Sequence, residues 1–521
     1  MARWGFARPP VPLTESQPRP PFPDREQRGS RPEGGDPTPR TASPRPEAPT
    51  LTSRRAALLF GATGAAAAAV VACTVDRSDQ GLGVPTGREQ RLTPTTLPQT
   101  VAQSTVGGGE FTLFPQTDLN FQTLFALGAI GQLTVGGEVA AVVAQANAAP
   151  GGASYQSVYD GFVSMGNKLQ AAATTSLERR RRVTARSQFL RAARYYSQAL
   201  YWVLGTSTPD AEAATYTALD DSYQAALELM DPAPERLDIR SGSHTLPAWI
   251  FRPSDDGAAR PTIIINNGVD GQHVDLLAQG GFEALDRGYN VVIFEGPGQG
   301  SMLFLRNVPF RHDWEHVVTP IMDALVQRQD VDADRIALRG ISFGGLLAPR
   351  AAAFEKRIAV LIADPGSTST WLDFPAIVRN TADTGSAAED NRLWQELIIP
   401  GSTPEQLFAL KKNLEVFSSD AHDQVKAGGH PTDWASLSSE IKKFDLAGVA
   451  EKITCPTLVT QYEGDEDFGT EPTELYGMLR TRHKDMVRFT SVDGAQYHCG
   501  PMAPQVADEA CWDWLDDTFG R

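Results

Sequence analysis

One serine, one group of carboxylates and one histidine, in that chain order, carry the chemistry legible in this sequence. The serine is Ser342, set in Gly340-Ile-Ser342-Phe-Gly344. A serine hydroxyl is a weak nucleophile until a base takes its proton and a carboxylate orients that base. The G-x-S-x-G spacing marks a strained strand-to-helix turn, where side chains two residues to either side would collide with backbone. The carboxylates come from Tyr462-Glu463-Gly464-Asp465-Glu466-Asp467. Spacing from the apolar run Leu458-Val459 selects Asp465, with Asp467 and then Glu463 as alternatives. The base is His498, in Gly494-Ala-Gln-Tyr-His498-Cys-Gly500, where flanking glycines allow a tight loop. His483, the other histidine downstream of the carboxylates, precedes the last expected strand. A tetrahedral intermediate needs two N–H donors. These are expected from Phe343, just after the nucleophile, and from Val269, in the loop Asn266-Asn-Gly268-Val269-Asp270-Gly271. His273 is expected to line the same pocket.

Such residues need rigid elements to hold them. Arg335 to Ile341 reads as a buried strand and Gly345 to Glu355 as a helix whose N-terminus points at Ser342. That end favours an oxyanion. Leu237–Ile239 and Leu246–Ile250 alternate as a hairpin around Ser241-Gly-Ser243. Thr262–Ile265, Val291–Phe294, Ile358–Ala363, Pro456–Val459 and Val487–Phe489 read as further strands. Helices are expected at Leu276–Arg287, Arg311–Gln329 and Gln505–Phe519. Strands alternating with helices predict an α/β fold: a three-layer, mostly parallel sheet of about eight strands. Residues 367–446 interrupt the alternation as a helical lid. Before it all, residues 118–232 show apolar spacings of three and four and form an expected helical domain, with the catalytic domain at 233–521. Arg179 to Arg182 are expected on a solvated helix face.

Other chemistries are poorly served. Gly296-Pro-Gly-Gln-Gly-Ser301 lacks the lysine of a phosphate-binding loop and reads as a sharp turn at the pocket rim. His312 and His316, four apart, lack an evident third metal ligand. The reading therefore calls for no cofactor and no metal. A net charge of −16 over 521 residues argues against nucleic acid or an anionic membrane as a partner. Self-association as a homodimer is compatible with it.

Residues 1–50 are rich in Pro, Arg and Gly and read as disordered. Ser53-Arg54-Arg55 precedes Leu58-Leu59 and an Ala-rich run ending Val70-Val71-Ala72-Cys73. This resembles a twin-arginine signal with a lipobox. It predicts an exported bacterial lipoprotein, cleaved after residue 72, lipidated at Cys73 and tethered to the extracytoplasmic membrane face by residues 73–117. Membrane contact would run through that lipid alone. Cys455, Cys499 and Cys511 make no disulfide framework, although Cys499 and Cys511 could pair in an oxidising compartment.

From about Glu235 onward the chain resembles the α/β-hydrolase superfamily. Phe294-Glu-Gly-Pro-Gly-Gln-Gly300, Asp334 to Gly345 and Ala495-Gln-Tyr-His-Cys499 resemble a narrower group. That group includes dihydroxypseudooxynicotine hydrolase and fungal hydrolases that shorten polyketide pigment precursors, and its members carry a helical domain before the core. The resemblance implies a Ser342-Asp465-His498 enzyme cleaving an ester, or a C–C bond next to a ketone, in a small molecule held between core and helical domain. The acid loop departs from the group's usual aromatic-Pro-Gly ending, with Phe468-Gly469-Thr470 in its place. A prolyl-oligopeptidase-like peptidase and a non-catalytic binding protein of the same fold are the competing readings.

Overall fold

A computed structural model describes residues 112–521, all within one compact unit. Cys73, the arginine pair and most of the expected tether lie outside the described residues.

Five helices lead the described chain: α1 (Thr117–Gly128), α2 (Gly136–Asn147), α3 (Tyr155–Glu178), α4 (Arg182–Trp202) and α5 (Glu212–Leu227). Ser154 and Ser157 close a capping box at the start of α3, satisfying backbone donors that the helix itself cannot. The four arginines at 179–182 do not form a helix face. They fall at the α3–α4 junction, where Arg180 takes φ 58° and Arg181 precedes α4. All four are exposed, and their mutual repulsion is relieved best at a turn.

Eight strands follow: β1 (Glu235–Ser241), β2 (His244–Phe251), β3 (Arg260–Asn266), β4 (Asn290–Phe294), β5 (Val331–Ile341), β6 (Val360–Asp364), β7 (Thr457–Tyr462) and β8 (Lys484–Phe489). They form one sheet in the order β1-β2-β4-β3-β5-β6-β7-β8. β1 and β2 pair antiparallel, β2 joins β4 antiparallel, and the remaining neighbours are parallel. A parallel sheet with both faces covered needs apolar residues at successive positions. Ile264, Val292, Leu338 and Leu361 share one apolar cluster with the helices Glu315–Leu325 and Gly344–Phe354. Ile263, Val291, Ala337 and Ile362 belong to the opposite cluster, with Trp512 and Leu515 of the helix Pro504–Phe519. Each buried Val, Leu or Ile among them contributes about 1.5–3 kcal/mol of transfer free energy. Phe162 and Tyr195 of α3 and α4 join the first cluster, so the leading helices and the sheet share one core.

Two expected helices are shorter than their pattern. Leu276–Arg287 breaks at Gln279 and Gly280, leaving a π-turn and then Phe282–Asp286. Gly280 sits at φ 102°, and a Cβ there would crowd Trp512, so a continuous helix does not fit against the C-terminal helix. Arg311–Gln329 shrinks to Glu315–Leu325. Between β6 and β7, short helices including Thr370–Asp373, Pro404–Leu414 and Trp434–Ile441 fill the expected lid segment. Trp394 stacks on Trp434 at 4.5 Å within it, and Phe408 stacks on Tyr155 of α3 at 4.3 Å.

Register decides where the loops meet. Asn266 at the end of β3 lies beside Gly340 of β5, and Ile341 lies beside Asp364 at the end of β6. β4 follows β3 on one side, and β5 returns on the other. The carboxyl ends of β3 and β5 thus flank a point where the connections diverge, which is where open α/β sheets form their crevices.

Candidate active site

Ser342 sits in that crevice. Its φ is 58°, in the left-handed region that a non-glycine residue adopts only under constraint. The constraint is visible: its N–H donates to the Asp364 carbonyl at 2.8 Å, and its carbonyl accepts from Gly345 N–H at 2.7 Å. The motif glycines are needed for clearance. A Cβ on Gly340 would overlap the Gly344 carbonyl oxygen, and one on Gly344 would lie 2.6 Å from the Asn266 carbonyl oxygen.

His498 reaches Ser342 from the loop after β8. Its Nε2 is 2.9 Å from Ser342 Oγ, and its Nδ1 is 2.8 Å from Asp465 Oδ2. Both His498 and Asp465 are 7% exposed. The other Asp465 oxygen accepts from the N–H groups of Asp467 and Phe468, at 3.0 and 3.2 Å. Gly464 N–H donates to the Gln496 carbonyl at 2.8 Å, tying the acid loop to the histidine loop. Phe468 packs edge-on against the imidazole, with centroids 5.0 Å apart. Glu463 turns away and accepts from Ser491 N–H at 2.9 Å. Asp467 stays 4.0 Å from His498 Nδ1, beyond hydrogen-bond reach, and faces the cavity.

These positions shift proton affinities. Burial alone disfavours the imidazolium, but the Asp465 carboxylate outweighs it and holds His498 well above the usual histidine range. Crowding by the cavity walls, reinforced by Asp465 and Asp270, pushes the Asp467 carboxyl up to about 6 against the opposing pull of His498.

The loop after β3 passes directly over Ser342. A Cβ on Gly268 would lie 2.7 Å from Ser342 Cβ and 3.0 Å from Phe343 N. Gly268 N–H is engaged by Asn267 Oδ1 at 2.9 Å, and Val269 follows it into the cavity wall. That cavity has a volume of about 630 Å³. Ser342, Phe343 and His498 border it from the core, Phe121 and Tyr201 from α1 and α4, and Phe408 and Phe417 from the lid segment.

Several expected residues sit elsewhere. His273 is not in the cavity wall. Its Nδ1 pairs with Glu295 at 2.7 Å in a sealed site beneath Trp249 and Tyr223. His316 is exposed and 3.8 Å from Asp313. Cys455, Cys499 and Cys511 are all free thiols, so the allowed Cys499–Cys511 bond is not formed. Among the described residues two sets of ligand-type groups do converge, Asp465-Asp467-His498 and Glu212-Glu415-His422. In the second, His422 Nε2 pairs with Glu212 at 2.7 Å and Lys412 donates to Glu415 at 2.6 Å.

Residue type alone assigned no individual role to three groupings beside the site. Glu295, in the glycine-rich turn, accepts from Tyr216 of α5 and Ser301 as well as meeting His273. Arg339, next to the elbow, bridges Asp364 and Asp508 at 2.7 Å each, below the Ser342 turn. On α4, Arg194 and Ser197 both reach Asp275 at 2.6 Å. Arg339 alone left a sequence signal, as a charge inside the otherwise uncharged run Ile336–Ile341.

The model of the "Alpha/beta hydrolase family" matches residues 269–507. A hydrolase of Fusarium sp. is 25% identical over 425 residues, covering 78% of this chain and 98% of its own. The 20-hydroxy-prefusarin hydrolase of Gibberella moniliformis is 28% identical over 316 residues, covering 59% of this chain and 70% of its own. Among solved structures, 2,6-dihydroxy-pseudo-oxynicotine hydrolase superposes with a TM-score of 0.55 at 19% identity, over 77% of this chain and 95% of that one. These relatives correct the expected localisation. The sequence relatives from Fusarium and Gibberella are hydrolases of fungi, as are others from Acremonium and Aspergillus, and not bacterial lipoproteins. An arginine pair before an Ala-rich run is a compositional pattern that recurs without export or lipid chemistry. Among the described residues no helix is long and apolar enough to cross a membrane. The eight-stranded sheet, the family model over residues 269–507 and the hydrolase relatives lead to one conclusion: the chain has an alpha/beta hydrolase region and is an enzyme of that class.

Proposed function

We propose that the chain is a serine hydrolase that cleaves a carboxylic ester, or a C–C bond adjacent to a ketone, through an acyl-enzyme on Ser342. The observation that carries the reading is the hydrogen-bonded line from Asp465 to His498 to Ser342, at 2.8 and 2.9 Å, ending at the cavity. Ser342 Oγ attacks the substrate carbonyl carbon while His498 Nε2 takes its proton. The resulting oxyanion meets the N–H groups of Phe343 and Val269. Collapse expels the leaving group, an alkoxide or an enolate, which receives the proton from His498. Water then attacks the Ser342 ester, giving its proton to His498, and the acid leaves as the serine is restored. Asp465 holds the imidazole tautomer and stabilises the imidazolium.

The aromatic walls supplied by Phe121, Phe408 and Phe417, beside the charged groups Asp270, Asp373 and Lys412, support a bulky small molecule with both apolar and polar parts as substrate. Helices α1–α5 stand where a prolyl-oligopeptidase-type enzyme carries a β-propeller, so peptide cleavage has less support. The test is direct. A fluorophosphonate probe should label Ser342 in folded protein. Ser342→Ala should lose p-nitrophenyl acetate turnover by about 10³-fold or more with the melting temperature nearly unchanged. Activity within tenfold of wild type would place the nucleophile elsewhere.

A further inference from the structure

Gln299 lies in the glycine-rich turn after β4, and nothing about its residue type announces a role in hydrolysis. It is 4% exposed. Both ends of its side-chain amide are used. Its Oε1 accepts from Gly296 N–H at 3.0 Å, which fixes the side chain to its own turn. Its Nε2 donates to two successive carbonyls of the loop over the nucleophile, Asn267 at 2.8 Å and Gly268 at 3.2 Å. The Asn267 carbonyl also accepts from Asn266 Nδ2 at 2.8 Å, and Asn266 Oδ1 accepts from Trp314 Nε1 at 2.6 Å. The loop is therefore held by a chain of buried side-chain amides and the Trp314 indole.

A trans peptide is planar, with its C=O and N–H pointing in opposite directions. The Gly268–Val269 peptide joins the Gly268 carbonyl to the Val269 N–H. Drawing that carbonyl toward Gln299 turns the Val269 N–H the other way. Glycine at 268 presents no Cβ to resist a rotation of this peptide, so the orientation depends on what holds the carbonyl. We propose that Gln299 is the positioning residue of the oxyanion site: it sets the Gly268–Val269 peptide so that the Val269 N–H faces the oxygen of the tetrahedral intermediate. The inference rests on the reading of Ser342 as nucleophile and adds a residue that touches neither substrate nor triad.

Gln299→Leu removes the donor at similar size, and Gln299→Glu replaces it with an acceptor facing two carbonyls. An oxyanion donor acts in the transition state and little in the ground state. Both variants should therefore lower kcat by about 10²-fold while KM stays within about threefold. A trifluoromethyl ketone, which forms a tetrahedral adduct on the serine, should lose affinity by a similar factor. A planar competitive ketone should not. Val269→Pro, which deletes the N–H itself, should cost a comparable factor, and the Val269→Pro/Gln299→Leu double variant should be little worse than either alone. If Gln299→Leu fails to fold, Gln299→Glu carries the same comparison, alone and combined with Val269→Pro. A kcat within threefold of wild type, a parallel change in KM, unchanged trifluoromethyl ketone affinity, or additive losses would each overturn the inference. If Ser342→Ala itself remains active, the reading of the site fails first. If Ser342→Ala is dead and the Gln299 pattern is absent, only the positioning role fails.

Discussion

Two histidines in this molecule make nearly the same hydrogen bond. His498 Nδ1 meets Asp465 at 2.8 Å, and His273 Nδ1 meets Glu295 at 2.7 Å. What differs is the other ring nitrogen. His498 Nε2 faces the Ser342 hydroxyl at 2.9 Å on the wall of a cavity. His273 Nε2 has no hydrogen-bond partner, lies 3.7 Å from Asp220, and is sealed against Trp249 and Tyr223. A histidine–carboxylate pair is thus a general packing solution for a buried imidazole. It becomes a candidate base only where the second nitrogen meets a nucleophile and a substrate can enter. The Glu295 pair instead ties the turn after β4 to α5 through Tyr216 and so supports the site from behind.

The comparison can be broken at its strongest point first. Asp465→Asn should lower kcat by about 10²- to 10⁴-fold, because the amide favours the wrong imidazole tautomer. The same variant should move the pH profile. A general base works unprotonated, so kcat/KM is lost as pH falls through the histidine's pKa. Asp465 holds His498 well above the usual range, so the wild-type acid limb should fall above about pH 6.5. Removing the carboxylate leaves burial, which favours the neutral ring, and the limb should shift to lower pH. A limb that stays in place would assign it to another group.

Asp467→Asn is the sharper control, since it changes the same loop two residues on. Its carboxyl is 4.0 Å from His498 and makes no hydrogen bond to it, so kcat should fall less than about tenfold. If this variant is the inactive one, the orienting acid is Asp467. The smallest effect on turnover is expected at the second pair. His273→Leu should leave kcat within about threefold yet destabilise the fold by about 1–3 kcal/mol, the cost of a buried hydrogen bond lost. A urea melt beside a rate measurement separates the two outcomes. A large kcat loss with unchanged stability would make His273 part of the chemistry after all.

Local signals stated some of this plainly. Gly340, Ser342 and Gly344 announce the elbow because its backbone geometry excludes side chains at the flanking positions, a constraint written within five residues. The apolar runs at Thr262–Ile265 and Val291–Phe294 announce buried parallel strands for the same reason, since both sheet faces are covered. The acid loop was less legible. Its four carboxylates are chemically near-equivalent in sequence, and Asp465 is distinguished by hydrogen bonds to His498, 33 residues away, and to the Asp467 and Phe468 N–H groups.

Residue order and type determined the fold class, the tight turn at Gly340–Gly344, the chain order of the candidate residues Ser342, Asp465 and His498, and the helical character of the region before the sheet. Tertiary structure decided the rest: that His273 is sealed while His498 is open, that Arg179 to Arg182 mark a junction, that the helix expected at Leu276–Arg287 breaks at Gly280, and that Gln299 grips the loop above Ser342. The last of those depends on which distant strand ends share a register, as Asn266 and Gly340 do. A side chain's partners across the sheet are fixed by that register and leave no trace in the residues on either side of it.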